Sequence, residues 1–106
     1  MSTPVETPLY PNALDAEAAV LGCILIDPDA LRPARILKPA DFYREAHATL
    51  FATMRQLEDD GLAVDVVTVT TRLERTGQLE RAGGSGYVMS LVNAVPTSMN
   101  AHYYAD

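Results

Sequence analysis

The spacing of apolar and polar positions predicts a series of short helices separated by turns. The clearest signal is in "REAHATLFATMRQLEDDG", where one helix face recurs every three or four residues, at His47, Leu50, Phe51, Met54 and Leu57. Gly61 follows, at the position where a glycine with positive φ commonly ends a helix. We therefore predict a helix whose stripe faces the core. His47 on that stripe is expected to be a hydrogen-bonded residue of the core or its boundary.

The segment "NALDAEAAVLGCILIDP" predicts the first helix of the chain. Asn12 or Asp15 can cap it, and Asp27-Pro28 ends it. Apolar residues lie on all its sides, which predicts that other helices surround it. Because Gly22 costs about 1 kcal/mol relative to alanine in a helix interior, we expect a neighbouring helix to approach closely there.

Pro33 limits the second helix, predicted for "PDALRPARIL" with Asp27 or Asp29 as its cap. Proline fits only the first turn of a helix, so the helix is expected to begin near Arg32. The segment "KPADFY" then predicts a turn, because Pro39 holds the residue before it extended.

The segment "VDVVTVTTRLERTG" supports a strand and a helix equally well. Its β-branched residues favour a strand. A helix is supported by a cap at Asp65, a stop at Gly77 and a stripe at helical spacing, at Val66, Val69, Thr70 and Leu73. After it, "SGYVMSLVNAVP" and "TSMNAHYYAD" predict two more short helices. The last has no termination signal before Asp106, which is typical of a piece of a longer protein.

Composition and charge narrow the classes of function. The chain has 106 residues, 48% of them apolar and 21% charged, a balance typical of one globular domain. We expect a proline-rich flexible tail over residues 1–12 and a helical domain over 13–106. The net charge is −6, with Lys38 as the single lysine, which argues against gripping a phosphate backbone. The single cysteine, Cys23, allows no internal disulfide and fits a reducing cytosol.

The glycine-rich stretch "GQLERAGGSGY" raises the question of a phosphate-binding loop. A P-loop needs G-x-x-x-x-G-K-[ST], but its second glycine would fall on Ala82 and no lysine follows. A dinucleotide fingerprint would need a third glycine where Met89 stands. We therefore predict a turn, in which Gly77 ends one helix and Gly83-Gly84 lead into the next.

No other group of residues has the pattern of a catalytic or metal site. His47 and His102 are the only histidines and Cys23 the only cysteine, too few for a zinc site. Cys23 is predicted to be an inert buried thiol, and the acidic cluster at 58–60 a solvated helix tip. From its residues, the chain is a small acidic helical domain without an active site, of a kind that acts through protein–protein contacts.

Five motifs follow one another along the chain and together cover nearly everything from Asn12 to Asp106: A-E-x-x-V-L-G, D-F-Y-x-x-x-H-x-x-[IL]-F, V-D-x-V-T, G-x-L-E-x-x-G-G-x-x-Y and P-[ST]-x-x-N-x-x-x-Y-A. In this order they closely resemble the N-terminal domain of the bacterial replicative DNA helicase, the DnaB family. The departures are Pro33, Cys23 and Gly86. The resemblance implies a compact all-α bundle of about six short helices, with "VDVVTVTT" helical.

The resemblance also implies a role. It makes the chain the collar of a hexameric, ATP-driven helicase that unwinds DNA at the replication fork, in the cytoplasm and associated with the nucleoid through the replisome. The collar assembles the ring and recruits primase; its partners are other copies of the domain, the primase C-terminal domain and a helicase loader. Strong direct DNA binding and membrane contact are not expected. ATP and Mg²⁺ belong to the ATPase domain beyond this chain, so no cofactor or catalytic residue is carried over.

Asp15, Glu17 and Tyr87 are the candidate partner-surface residues, because family collar contacts lie near the first helix and near the G-G-x-x-Y turn. The alternative roles are helix capping for Asp15 and Glu17, and core packing with a hydrogen-bonded hydroxyl for Tyr87. Two other functions are also held open. One is a free-standing acidic helical adaptor without motor activity, and the other is a small nucleotide-binding enzyme built on "GGSGY".

Overall fold

A computed structural model describes residues 13–93 and residue 95. This part of the chain is all-α, as predicted, and contains five α-helices and two 3-10 turns. The helices are α1 (Ala13–Ile26), α2 (Leu31–Ala34), α3 (Glu45–Asp59), α4 (Val66–Arg75) and α5 (Gly84–Asn93), and the 3-10 turns are Pro28–Ala30 and Pro39–Asp41. About six helices were predicted for the chain, and the described residues contain five. The sixth predicted helix, "TSMNAHYYAD", and the tail over 1–12 lie outside the described residues.

The first two helices begin and end for local reasons. α1 ends at Ile26, and the side chain of Asp27 then accepts the Asp29 N–H at 3.1 Å, which caps the following 3-10 turn. α2 begins at Leu31, so Pro33 lies within its first turn, where its missing N–H has no helical partner to lose. The predicted cap of α1 was Asn12 or Asp15. Because the helix begins at Ala13, Asp15 lies inside its first turn and is not the cap, and Asn12 lies outside the described residues.

Glycines in the left-handed conformation end α3 and α4. Gly61 has φ +76°, its N–H donates to Glu58 O at 2.9 Å, and Leu62 N–H donates to Leu57 O at 2.9 Å. This pattern is the Schellman motif, which satisfies the last carbonyls of a helix. Gly77, with φ +72°, ends α4 in the same way. Both predicted helix stops are confirmed.

The segment that supported a strand and a helix equally is the helix α4. Asp65 is extended, its side chain accepts Thr68 N–H at 2.8 Å, and its own N–H donates to Thr68 Oγ1 at 2.9 Å. This reciprocal capping box satisfies backbone donors at the start of the helix. Val69 and Leu73 are fully buried on the inner face. Capping and packing therefore outweigh the strand propensity of the β-branched residues.

One apolar core holds the helices together. α1 packs against α5 and α3, α3 also packs against α4, and α4 packs against α5. The predicted stripe of α3 is entirely buried and lies at the centre of this arrangement. The buried apolar cluster consists of Leu21, Ile24, Leu25, Leu31, Phe42, Leu50, Phe51, Met54, Leu57, Val64, Val69, Leu73, Ala82, Val88 and Leu91.

Gly22 lies where α1 and α5 approach each other closely. A Cβ built there would be 2.2 Å from Leu91 O and 2.8 Å from Val95 Cγ2. The predicted close approach is therefore confirmed. The prediction that α1 is surrounded on all sides is wrong for the described residues, since Ala16 is exposed and Val20 is half-buried.

The acidic cluster at the end of α3 is a largely exposed helix tip, as predicted, and it also forms ion pairs. Arg35 forms ion pairs with Glu58 and, at 3.1 Å, with Asp59. Arg72 on α4 pairs with Asp60 at 3.0 Å. The cluster thus links the end of α3 to α4 and to the segment after α2, although partly exposed pairs of this kind contribute little stability.

The glycine-rich stretch forms a turn, as predicted. Gly83 and Gly84 have φ of +101° and +86°, and Gly84 N–H donates to Leu79 O at 2.9 Å. The turn leads directly into α5. Within the part of the chain that the structure describes, no helix is both long and apolar enough to cross a membrane.

Candidate partner surface around Glu17 and Tyr87

Three helices meet at a chain of hydrogen bonds formed by Glu17, His47 and Tyr87. His47 Nδ1 lies 2.8 Å from Glu17 Oε1, and His47 Nε2 lies 2.5 Å from the Tyr87 hydroxyl. The His47 and Tyr87 rings are also stacked, with centroids 5.8 Å apart. Because the three residues belong to α1, α3 and α5, this network joins helices that are distant in sequence.

The carboxylate of Glu17 fixes one proton position on His47. An ionised carboxylate only accepts hydrogen bonds, so Nδ1 carries a proton and donates to Glu17. In the neutral ring Nε2 is then an acceptor, and the Tyr87 hydroxyl donates to it. In the imidazolium form Nε2–H would donate to the hydroxyl oxygen instead. The prediction that His47 is a hydrogen-bonded core residue is confirmed, since it is fully buried and both ring nitrogens have partners.

Glu17 also receives hydrogen bonds from backbone N–H groups just before α3. Tyr43 N–H donates to Oε2 at 2.5 Å and Arg44 N–H to Oε1 at 3.4 Å. Burial by itself raises the pKa of Glu17, but the hydrogen bonds from Tyr43, His47 and Arg44 outweigh it and hold the pKa below the ordinary 4.5. The side chain therefore does act as a cap, but on the approach to α3 rather than on its own helix.

Exposed side chains surround this network and were not selected from the sequence. Tyr43 is 84% exposed, and the Arg44 guanidinium lies over the Tyr87 ring, 5.6 Å from its centroid. The next residue after Arg44 is Glu45, and its carboxylate lies 3.6 Å from Arg81 Nε. Tyr43 and Arg44 both lie within the motif D-F-Y-x-x-x-H. Spacing along the sequence did not indicate that either side chain is exposed.

The structure places the three candidate residues in different settings. Glu17 and Tyr87 come together through His47, with Glu17 only 14% exposed in its side chain and Tyr87 half-buried. Asp15 lies exposed in the first turn of α1, outside this chain of hydrogen bonds. Tyr87 has the hydrogen-bonded hydroxyl that its alternative role required. Whether the three residues contact a partner stays a prediction.

The described residues contain no cluster of three or more histidine, cysteine, aspartate or glutamate side chains arranged to hold a metal ion. Cys23 is half-buried in α1, and burial raises the pKa of its thiol. A raised pKa lowers the thiolate fraction and with it the reactivity of the sulfur. The polar contacts around Glu17 and Tyr87 hold three helices together and position the exposed Tyr43 and Arg44.

Comparison with known proteins gives a consistent result. The family model described as DnaB-like helicase N terminal domain matches residues 10–106. The replicative DNA helicase DnaB of Geobacillus stearothermophilus is 50% identical over 96 residues, which cover 90% of this chain and 21% of that protein. The replicative DNA helicase DnaC of Bacillus subtilis (strain 168) is 46% identical over 98 residues, 92% of this chain and 22% of that protein. The chain thus spans about a fifth of the length of these two relatives.

A solved structure has the same fold. The crystal structure of the N-terminal domain of DnaB helicase from Mycobacterium tuberculosis superposes with a TM-score of 0.76 at 43% sequence identity. The match covers 87% of this chain and 67% of that one.

Proposed function

This chain belongs to the family of DnaB-like helicase N-terminal domains, and from that premise we propose that it is the collar of a hexameric replicative helicase. In this role it packs against other copies of the same domain and recruits the primase C-terminal domain and a helicase loader. The unwinding of DNA, with ATP and Mg²⁺, is carried out by a separate ATPase domain of the same protein. The working location is the cytoplasm, at the replisome.

The observation that carries this proposal is the match of nearly the whole chain to one domain of replicative helicases. The internal chemistry agrees with a domain that works by contact. The hydrogen bonds of Glu17, His47 and Tyr87 join α1, α3 and α5, and His47 at the centre of this network is fully buried. A buried, fully hydrogen-bonded histidine is suited to holding a shape and has no open position for a substrate.

We propose that the partner surface includes Asp15, Glu17 and Tyr87. Asp15 is an exposed acidic residue, and a basic partner surface would complement its charge. Glu17 and Tyr87 support the surface from within, because they fix the chain that carries the exposed Tyr43 and Arg44. Aromatic and arginine side chains are the types most often dominant in protein interfaces.

Binding of a purified primase C-terminal domain tests this surface. Asp15→Lys should weaken binding roughly tenfold, as charge reversal at an interface does. Asp29→Lys is the matched control, because it makes the same charge change at an exposed position beyond the other end of α1. Isothermal titration calorimetry should use a version of the chain extended through the rest of the N-terminal domain. Equal affinity of both variants would remove Asp15 from the surface.

The reading frame beyond codon 106 tests the wider role. A G-x-x-x-x-G-K-[ST] motif in frame about one to two hundred codons downstream would place the domain in a helicase. A stop codon close to codon 106 would favour the free-standing adaptor instead. ATP turnover or saturable ATP binding by the purified 106-residue chain would contradict both roles and favour a nucleotide-binding enzyme.

A further inference from the structure

A groove runs along the outer side of α4, beside the turn that follows α3. Two exposed apolar side chains mark it, Leu62 at 51% and Val67 at 71% exposure. The buried Leu57 lies at its floor, and Thr71, Arg72 and Arg75 continue it along α4. We call this surface the α4 groove. It lies on a different part of the chain from Glu17 and Tyr87.

Local hydrogen bonds fix the backbone that carries both apolar side chains. Leu62 follows the glycine that ends α3, and its N–H is bonded to Leu57 O at 2.9 Å. Val67 lies in the first turn of α4, between Asp65 and Thr68, the two residues of the capping box. Apolar groups held exposed in this way bind a partner with less loss of conformational entropy than flexible ones.

The far end of the groove is positively charged, against the overall charge of the chain. Arg72 and Arg75 lie about one turn apart on α4. Arg72 binds Asp60 at 3.0 Å, whereas no ion pair joins Arg75 to any residue that the structure describes, and Arg75 is exposed. The net charge of the whole chain is −6. The groove therefore combines an apolar end with a guanidinium that is available to a carboxylate.

We infer that the α4 groove binds an acidic amphipathic helix of a partner protein. Apolar side chains one turn apart on that helix contact Leu62 and Val67, and a carboxylate binds Arg75. Residues 67 and 75 are separated by about 12 Å along α4 at the helical rise of roughly 1.5 Å per residue. The carboxylate is therefore expected about eight positions from the apolar residue of the partner helix that contacts Val67. This mode is the insertion of an amphipathic helix into an apolar groove.

A designed peptide pair tests the inference on the 106-residue chain. One fluorescein-labelled helix of about 16 residues carries two leucines one turn apart and a glutamate eight positions after the second leucine, which is the one placed against Val67. Its sister carries lysine in place of that glutamate. Fluorescence anisotropy should show saturable binding of the glutamate peptide. Val67→Glu should weaken it roughly tenfold or more, and Arg75→Glu should reverse the preference, so that the lysine peptide binds more tightly.

The variants are chosen to keep the fold. A glutamate at position 67 lies in the first turn of α4, where the helix dipole favours negative charge, and circular dichroism checks that each variant is folded. Met89→Glu is the control, because Met89 is 62% exposed on α5; it should leave the affinity within about twofold. An equal loss in Met89→Glu, no binding of the glutamate peptide, or no reversal in Arg75→Glu overturns the inference.

Two further results would show that something other than a partner helix occupies the α4 groove, and either would also overturn the inference. If sedimentation equilibrium shows that the unaltered chain dimerises and that Val67→Glu makes it monomeric, the occupant of the groove is a second copy of the chain. Removal of residues 96–106 would reveal the chain's own C-terminal segment if it markedly tightens peptide binding. The peptide-binding readouts involve neither primase nor self-association, so they are independent of the collar proposal.

Discussion

Replacement of Gly22 by alanine should loosen the contact between α1 and α5. The new methyl group would lie 2.2 Å from the backbone oxygen of Leu91, against an ordinary contact distance of 3.4 Å or more. Because the obstructing atom is backbone rather than a flexible side-chain end, the two helices must move apart by about 1 Å, and close-packed interiors resist such shifts.

The expected loss of stability follows from two opposing effects. Overpacking of a tight contact typically costs about 1–3 kcal/mol, and the contact with Val95 Cγ2 at 2.8 Å adds to it. Alanine returns up to about 1 kcal/mol of helix propensity relative to glycine. With the steric cost at or above the upper end of its range, Gly22→Ala should lose roughly 2 kcal/mol. For a domain of this size that lowers Tm by about 10 °C.

Gly86→Ala is the matched control, since it makes the same change in another helix. A Cβ at Gly86 would meet nothing within 4 Å, so this variant should be unchanged or more stable by about 0.5 kcal/mol. Urea and thermal unfolding, followed by circular dichroism, measure both. A Gly22→Ala protein as stable as the unaltered chain, or one that falls no further than Gly86→Ala, would refute the close-approach argument.

Three other changes test the elements that position the site. Asp65→Ala should cost about 1 kcal/mol of unfolding free energy, because it removes the α4 cap; an unchanged urea midpoint would contradict this. Gly83→Ala should cost about 1–3 kcal/mol, because the backbone there has φ +101° and the new Cβ would lie 2.7 Å from Tyr87 Cδ2; the same urea titration decides it. The folded pKa of Glu17 lies below its unfolded 4.5, so its stabilisation is present above that pH and is lost as the pH falls through the folded value. Glu17→Gln, which keeps the shape beside His47, should therefore lower stability at neutral pH and flatten its decline below pH 4.5, and parallel pH curves would count against the network.

Local signals in the sequence determined most of the helix boundaries. A glycine that adopts positive φ is identifiable where it follows an apolar stripe, which is why Gly61 and Gly77 were correct helix stops. Pro28 after Asp27 ended α1 for an equally local reason. The inward stripe of α3 was also predictable, because its period reports the face that is buried.

Tertiary packing decided what local signals left open. The residues of α4 supported a strand and a helix equally; the family resemblance pointed to a helix, and burial of Val69 and Leu73 against the core is what makes it one. The apolar residues all around α1 predicted complete burial, yet Ala16 is exposed among the described residues. Composition records how apolar a helix is, but not how many neighbours cover it.

The candidate site depended most on the tertiary structure. Glu17 is 30 positions from His47, and His47 is 40 positions from Tyr87. Hydrogen bonds across such separations leave no periodic trace in a sequence, since they depend on how α1, α3 and α5 cross rather than on the spacing within any one helix. The sequence by itself therefore determined the helices and the family. The folded chain alone determined that Glu17 and Tyr87 share one buried histidine, because only packing brings their helices within hydrogen-bond distance.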